Sequence, residues 1–137
     1  MKKILLIMLT SLLLTGCSLS NADCKSDGRA NEYMKMSQSY NFKEKDKKLT
    51  EMEIVRKYSF NNKEKFKEFK VIVDYEIKNK DKNVKKTAKS FLKTYTLTTK
   101  IKNIDKMTND DLAKYEIKSS VKEMKKMLKE KGLSCEK

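Results

Sequence analysis

The chain lacks histidine, proline and tryptophan, and only three of its 137 residues are glycines. Without histidine it has no Ser-His or Cys-His catalytic pair and no imidazole ligand for zinc, copper or non-haem iron. With glycine only at Gly16, Gly28 and Gly132, it has neither a glycine-rich phosphate loop nor a G-x-S-x-G nucleophile elbow. These absences exclude most hydrolase mechanisms and nucleotide-dependent chemistry.

Arginine is scarce as well, although the chain is strongly basic. Arg29 and Arg56 are the only arginines, so 31 of the 33 basic residues are lysines, and the net charge is +14. The lysines are spread over the whole chain rather than gathered in one motif. They are explained either by compositional bias that keeps the surface soluble, or by attraction to the anionic lipids and polymers of a cell envelope.

The start of the chain has the pattern of an export signal. Two lysines precede an apolar run at residues 4–14, which is too short to cross a bilayer as a helix. The run ends in LTGC at residues 14–17, which resembles the lipobox of bacterial lipoproteins. That resemblance implies lipid modification of the Cys17 thiol and cleavage after Gly16. The alternative is an ordinary secretory signal in which Cys17 is incidental.

These features divide the chain into three parts. Residues 1–16 are predicted to be a lipoprotein signal peptide, and residues 17–30 a lipidated cysteine followed by a polar tether. Residues 31–137 are predicted to form a single domain. We therefore expect a protein anchored to the cell membrane through Cys17, on the extracytoplasmic face, and we expect no nucleic-acid partner.

The two remaining cysteines are predicted to form a disulfide. Cys24 and Cys135 lie near the two ends of the mature chain, in a compartment that permits oxidation. Their bond would close a loop of about 110 residues. Two free thiols are the alternative, because the sequence alone does not bring the Cα atoms within the disulfide range of about 4.4–6.8 Å.

Alternating apolar and polar residues predict an antiparallel hairpin. Residues 43–48 form a charged break between two segments whose apolar residues lie at even positions. These apolar residues are Met34, Met36, Tyr40 and Phe42 in the first segment, and Met52, Ile54, Tyr58 and Phe60 in the second.

The next segment has helical spacing. Asn61 followed by Glu64 resembles a capping box, and apolar residues recur at Phe66, Phe69, Val73 and Ile77. This pattern predicts a helix over residues 62–78. The competing interpretation is a strand at residues 71–75, where β-branched residues are frequent.

The second half of the chain predicts further strands and two helices. Residues 78–89 are interpreted as a basic loop, followed by a threonine-rich stretch that is one long strand or a hairpin bent at residues 90–93. Thr108 begins a short predicted helix, and Ser120 begins a final helix for which Gly132 is the C-cap. Because strands and helices are segregated, the predicted class is α+β, with an antiparallel sheet of three or four strands and two or three helices on one face.

This layout resembles the YehR-like family of small bacterial lipoproteins, which has no established activity. The resemblance implies a fold and a membrane location, and it implies nothing about chemistry. It is carried by the LTGC motif at residues 14–17, Cys24, the strand pair around Tyr40 and Ile54, the threonine-rich strand that ends in Ile104-Asp105, and the terminal segment at residues 128–135.

Candidate chemical sites all have structural explanations. The oxygen-rich segment at residues 103–111 lacks the spacing of a calcium loop and fits a strand end followed by a helix N-cap. The methionines at residues 34, 36, 124 and 127 match predicted core faces rather than a copper site. With 31 lysines, almost every serine has a lysine neighbour. We therefore predict no catalytic residues, no metal and no cofactor.

Three functional hypotheses remain. The first, and the one favoured, is a membrane-anchored binding or interaction module that is not an enzyme and whose partner is unknown. The second is a structural envelope protein whose basic surface associates with anionic lipid or cell-wall polymers. The third is an enzyme of unrecognised type, which a concave pocket holding a carboxylate pair or a desolvated lysine would favour.

Overall fold

The computed structural model describes residues 22–28, 31–78 and 80–136. Its strands are β1 (Cys24–Ser26), β2 (Met34–Lys45), β3 (Lys48–Phe60), β4 (Val84–Phe91), β5 (Thr94–Ile101) and β6 (Ser134–Cys135). Its helices are α1 (Lys63–Glu76), α2 (Asn109–Lys114) and α3 (Val121–Glu130), with a 3-10 turn at Ile104–Lys106.

The strands form one antiparallel sheet with the order β4-β5-β3-β2-β1-β6. The α+β class and the antiparallel sheet are confirmed. The predicted size of the sheet is wrong, because the described residues contribute six strands rather than three or four. The additional strands are short or lysine-rich, so their apolar alternation is weak in the sequence.

The central hairpin of β2 and β3 is confirmed, but its turn is shorter than predicted. The strands continue into the charged run as far as Lys45 and Lys48, and only Asp46 and Lys47 lie between them. Both turn residues have positive φ, at 53° and 65°. Two consecutive positive φ values match the turn that follows the twist of a hairpin, and aspartate tolerates this conformation well.

Residues 84–89, which belong to the predicted basic loop at residues 78–89, instead form most of β4. Together with β5, this strand makes a second hairpin that turns at Leu92 and Lys93, which confirms the hairpin alternative. β4 lies at the edge of the sheet, and there lysines on a strand discourage pairing with another chain. The lysines that suggested a loop are therefore compatible with an exposed edge strand.

Helix α1 is confirmed with slightly different ends. The sequence predicts residues 62–78, whereas the helix covers Lys63–Glu76. Its N-cap is Asn62 rather than Asn61, and the Asn62 side chain accepts hydrogen bonds from the backbone N–H groups of Glu64 and Lys65. The alternative strand at residues 71–75 is wrong, because the helical face from Phe66 to Ile77 packs on the sheet.

The predicted starts of the last two helices are confirmed. The Thr108 hydroxyl caps α2 through the Asp111 N–H, and the Ser120 hydroxyl caps α3 through the Glu123 N–H. Gly132 follows α3 with a φ of 95°, and the Leu133 N–H donates back to the Leu128 carbonyl. This is the Schellman end that a glycine in the left-handed region allows.

The two ends of the described chain are joined by the predicted disulfide. Cys24 and Cys135 face each other on β1 and β6, with their Cα atoms 4.0 Å apart. The separation is slightly below the predicted range of about 4.4–6.8 Å. Cys24 is fully buried, and so is Ala22. Residues 22–28 therefore belong to the fold, although the sequence placed them in the tether.

Both large helices cover the same face of the sheet. One group of buried side chains, the main core, includes Tyr40, Met52 and Ile54 of the sheet beneath Met124 and Leu128 of α3. A second group, the aromatic cluster, joins α1 to the other half of the sheet. Its members are Tyr58, Phe60, Phe66, Phe69, Val73 and Tyr95, with Ile77, Ala88 and Leu97 packed around them.

The aromatic cluster is held by ring contacts and one buried hydroxyl. Phe69 lies 4.6 Å from Tyr58 and 5.5 Å from Tyr95 between ring centroids. The buried Tyr95 hydroxyl donates to Asp74 at 2.7 Å, and Lys70 donates to the same carboxylate. These hydrogen bonds lower the pKa of Asp74, while burial and the contact with Asp74 raise the pKa of Tyr95 well above its usual range.

No helix in the described residues is long and apolar enough to cross a membrane. The predicted signal peptide, the LTGC motif and Cys17 lie outside the described residues.

Candidate functional site

A cleft separates the main core from the aromatic cluster on the helix-covered face of the sheet. Arg56 lies in its floor, on the inward face of β3 between Ile54 and Tyr58. The cleft has a volume of about 440 Å³, which falls within the range of roughly 300–1,000 Å³ typical of ligand pockets. We call this concavity the helix–sheet cleft.

The lining of the helix–sheet cleft combines apolar side chains with polar and charged ones. The floor is formed by strands β3, β4 and β5, and the walls come from α1 and from Tyr115, which follows α2. The apolar side chains that line it are Ile54, Phe69, Ile72, Val73, Val84, Leu97 and Ile101. The polar or charged ones are Arg56, Tyr58, Glu76, Lys86, Thr99 and Tyr115.

Arg56 forms no ion pair with a carboxylate among the described residues. The hydrogen bond from Lys131 and, more weakly, the charge of Arg56 lower the pKa of Glu116, and the Glu116 carboxylate is already paired with Lys131. The Arg56 Nε donates to Gln38 Oε1 at 3.4 Å, and its Nη2 donates to the Tyr40 hydroxyl at 3.2 Å. Both acceptors are neutral, and both bonds are long for charge-assisted hydrogen bonds. A guanidinium group carries five N–H donors, so most of its donors are not used by the described protein groups. Arg56 is therefore a half-buried cation with unused N–H donors that can bind an anion.

The residues around Arg56 are partly or fully buried, and this burial affects the pKa of Tyr58. Thr99 is the only buried polar residue in the described part of the chain. Burial raises the pKa of Tyr58, and the neighbouring Arg56 partly opposes this rise. The floor of the cleft is therefore partly shielded from water, and charge interactions are stronger there than at the surface.

The cleft continues to the β4 edge of the sheet. A second concavity of about 370 Å³ shares Glu76, Val84, Lys86 and Tyr115 with the first and adds Lys80, Asp81 and Lys114. The Tyr115 hydroxyl donates to Asp81, which raises the pKa of Tyr115 to about 12 and lowers that of Asp81. This contact fixes one wall of the opening while three lysines surround it.

A different feature lies on the outer side of α3. A broad depression of about 780 Å³ is lined there by four lysines and three glutamates, with Val121 as its one apolar lining residue among those described. The lysines are Lys122, Lys125, Lys126 and Lys129, which we call the α3 lysine face. Glu136 lines the same depression, and its N–H donates to the Asp23 carbonyl at the start of the described chain.

The structure brings together only one set of the sequence-predicted site residues. Cys24 and Cys135 are bonded, whereas Cys17 lies outside the described residues. The segment 103–111 is divided between the 3-10 turn and the first turn of α2. No group of three His, Cys, Asp or Glu side chains suited to a metal occurs in the described ranges.

Sequence reasoning missed Arg56, although a signal was present. The predicted apolar face of β3 consists of residues 52, 54, 58 and 60. Arg56 occupies the remaining position on that face, between residues 54 and 58. An arginine at an inward position is unusual, and this one is one of only two arginines in a chain with 31 lysines.

Comparison of the chain with protein-family models, curated proteins and solved structures gives no match. The YehR-like resemblance therefore stays a hypothesis that depends on the residues quoted above.

Proposed function

We propose that this chain is a lipid-anchored extracytoplasmic binding protein and that the helix–sheet cleft is its binding site. The observation that carries the proposal is Arg56, a half-buried cation in the floor of the cleft that hydrogen-bonds to two neutral groups and forms no ion pair among the described residues. A concave apolar site with a few convergent polar groups is typical of small-molecule binding.

The membrane location is supported by the LTGC motif and by the short distance from it to the fold. With Ala22 buried in the fold, residues 18–21 alone separate Cys17 from the domain. Even fully extended, the chain from residue 17 to residue 22 spans only about 17 Å. A lipid on Cys17 would therefore hold the domain against the membrane surface.

The lining of the cleft favours binding over catalysis. Glu76 is the only carboxylate in its inner part, and Thr99 is the only aliphatic hydroxyl there. A nucleophilic mechanism needs a nucleophile in hydrogen-bond contact with a general base. The one such contact in the described lining, from the Tyr115 hydroxyl to Asp81, raises the pKa of Tyr115 to about 12 and so does not activate it. This supports the non-enzymatic hypothesis among the three that the sequence leaves open.

Anchoring is tested by the variant Cys17→Ser. We expect fatty-acid label to enter the wild-type protein during growth and to be absent from the variant, which should remain unprocessed or leave the membrane fraction. Cys24→Ser, which keeps the LTGC motif, is the matched control and should retain the label. Label that persists in Cys17→Ser would contradict the assignment.

Ligand binding in the cleft is tested with a single tryptophan, because the chain has none. Ile72→Trp places the reporter at the rim of the cleft, and Tyr75→Trp places one on the same helix outside the lining. Titration with octanoate and with 1-octanol should change the fluorescence of the Ile72→Trp protein in a saturable way for at least one of the two. The Tyr75→Trp protein should not respond. Failure of both compounds to change the Ile72→Trp signal would contradict the proposed site.

A second candidate function is supported by the α3 lysine face. Its four lysines line one depression with Glu136, which is hydrogen-bonded to Asp23 where the described chain begins. The lysines therefore lie on the side of the domain from which the predicted tether leaves. This placement supports association of the basic surface with anionic lipid, in addition to the anchor.

A further inference from the structure

We propose that the helix–sheet cleft binds an amphipathic anion, with the anionic group at Arg56 and an apolar body along the lining from α1. This inference rests on the proposed binding function and names the ligand class for the same site. A carboxylate with a short hydrocarbon chain is the simplest member of this class.

The charge of the cleft favours an anion over a neutral ligand. Four cations line the combined concavity, namely Arg56 and Lys80, Lys86 and Lys114 at the opening, against the carboxylates of Glu76 and Asp81. Asp81 already accepts hydrogen bonds from the Tyr115 hydroxyl and the Asn83 N–H. The remaining balance is positive, so an entering anion gains more from the lysines and Arg56 than it loses to Glu76.

Arg56 is the group most suited to hold the anion in place. Its guanidinium group is restrained by Gln38 and Tyr40 and is half-buried, whereas the three lysines at the opening are exposed. A restrained guanidinium can bind two oxygens of a carboxylate at once. The exposed lysines can attract an anion but hold it less firmly.

The apolar part of the ligand is favoured by the wall that α1 provides. Ile72 lines the cleft but remains 60 % exposed, next to the buried Val73 and the half-buried Phe69. A hydrocarbon chain laid against Ile72 would remove this surface from water, at about 25 cal/mol per Å² of apolar area buried. The same contact is not available to a small inorganic anion, so the site distinguishes an amphiphile from free phosphate.

The test uses the full-length Ile72→Trp protein as host and compares octanoate, 1-octanol and inorganic phosphate. We expect octanoate to bind at least about tenfold more tightly than 1-octanol, and phosphate to give no saturable change. Adding Arg56→Gln should weaken octanoate binding by at least about tenfold and leave 1-octanol binding unchanged.

The matched control is Lys57→Gln, which removes one positive charge from the adjacent residue on the opposite face of β3. It should leave octanoate binding unchanged, and Arg56→Lys should bind more weakly than the host. Equal binding of octanoate and 1-octanol, or an unchanged affinity in Arg56→Gln, would overturn the anion proposal while the cleft remains a binding site. If the Arg56→Gln protein unfolds, the comparison of octanoate with 1-octanol in the host protein still tests whether the cleft prefers an anion.

Discussion

Replacing Cys24 and Cys135 together by alanine is expected to lower the free energy of unfolding by about 4 kcal/mol. The disulfide joins residues 111 positions apart, so its loss releases a long loop in the unfolded chain. It also joins β1 to the two-residue strand β6 at the edge of the sheet. Because small domains have a total stability of about 5–15 kcal/mol, this loss is a large fraction.

The measurement is the urea unfolding midpoint of both proteins, with and without a reductant. The reductant should shift the wild-type midpoint towards that of the double variant and leave the variant unchanged. Since reduction leaves both cysteine side chains in place, it separates the effect of the bond from the effect of truncating the fully buried Cys24. A wild-type midpoint that does not move on reduction would contradict the expected contribution.

Helices and strands are predicted correctly from the sequence where the local residue pattern and the tertiary contacts favour the same structure. Thr108 and Ser120 cap α2 and α3 because each side chain reaches the N–H three residues ahead. The predicted N-cap of α1, Asn61, is wrong by one position, because the next residue is also an asparagine and its side chain caps the helix. The Asn61 side chain donates instead to the Glu32 carbonyl, a contact from outside the local sequence.

The edge strands are hard to predict because their local residue pattern does not favour the strand that tertiary pairing produces. β4 contains three lysines and exposes most of its side chains, so its pattern is that of a solvated loop until β5 pairs with it. β1 has three residues, and its burial depends on β2 and on the disulfide rather than on its own composition. Non-local pairing, which no short segment encodes by itself, decides both strands.

The candidate site is harder to predict from the sequence than the fold. Arg56 was visible as a break in the apolar face of β3, but its partners are 16 and 18 residues away on β2. The cleft forms because α1 and α3 cover separate parts of one sheet face and leave the position of Arg56 between them. The arrangement of helices on the sheet therefore creates the site.

Changing the four lysines of the α3 lysine face to glutamine is expected to reduce binding to anionic vesicles by up to about 4 kcal/mol. Each lysine near an anionic lipid surface contributes about 1 kcal/mol, and this contribution decays within a Debye length of about 8–10 Å. None of the four takes part in the ion pairs found among the described residues. The unlipidated Cys17→Ser protein without its signal segment is used, so that the lipid anchor does not dominate co-sedimentation.

The matched control changes the same number of lysines at the opposite edge of the sheet. Lys82, Lys85, Lys89 and Lys93 lie on or beside β4, five strands away from β6, and none lines the helix–sheet cleft. Their replacement removes the same charge but should weaken binding far less, and the difference between the two variants should shrink in about 1 M salt. Equal losses in both variants would show that net charge alone attracts the protein, and compositional bias would then account for the lysines of α3.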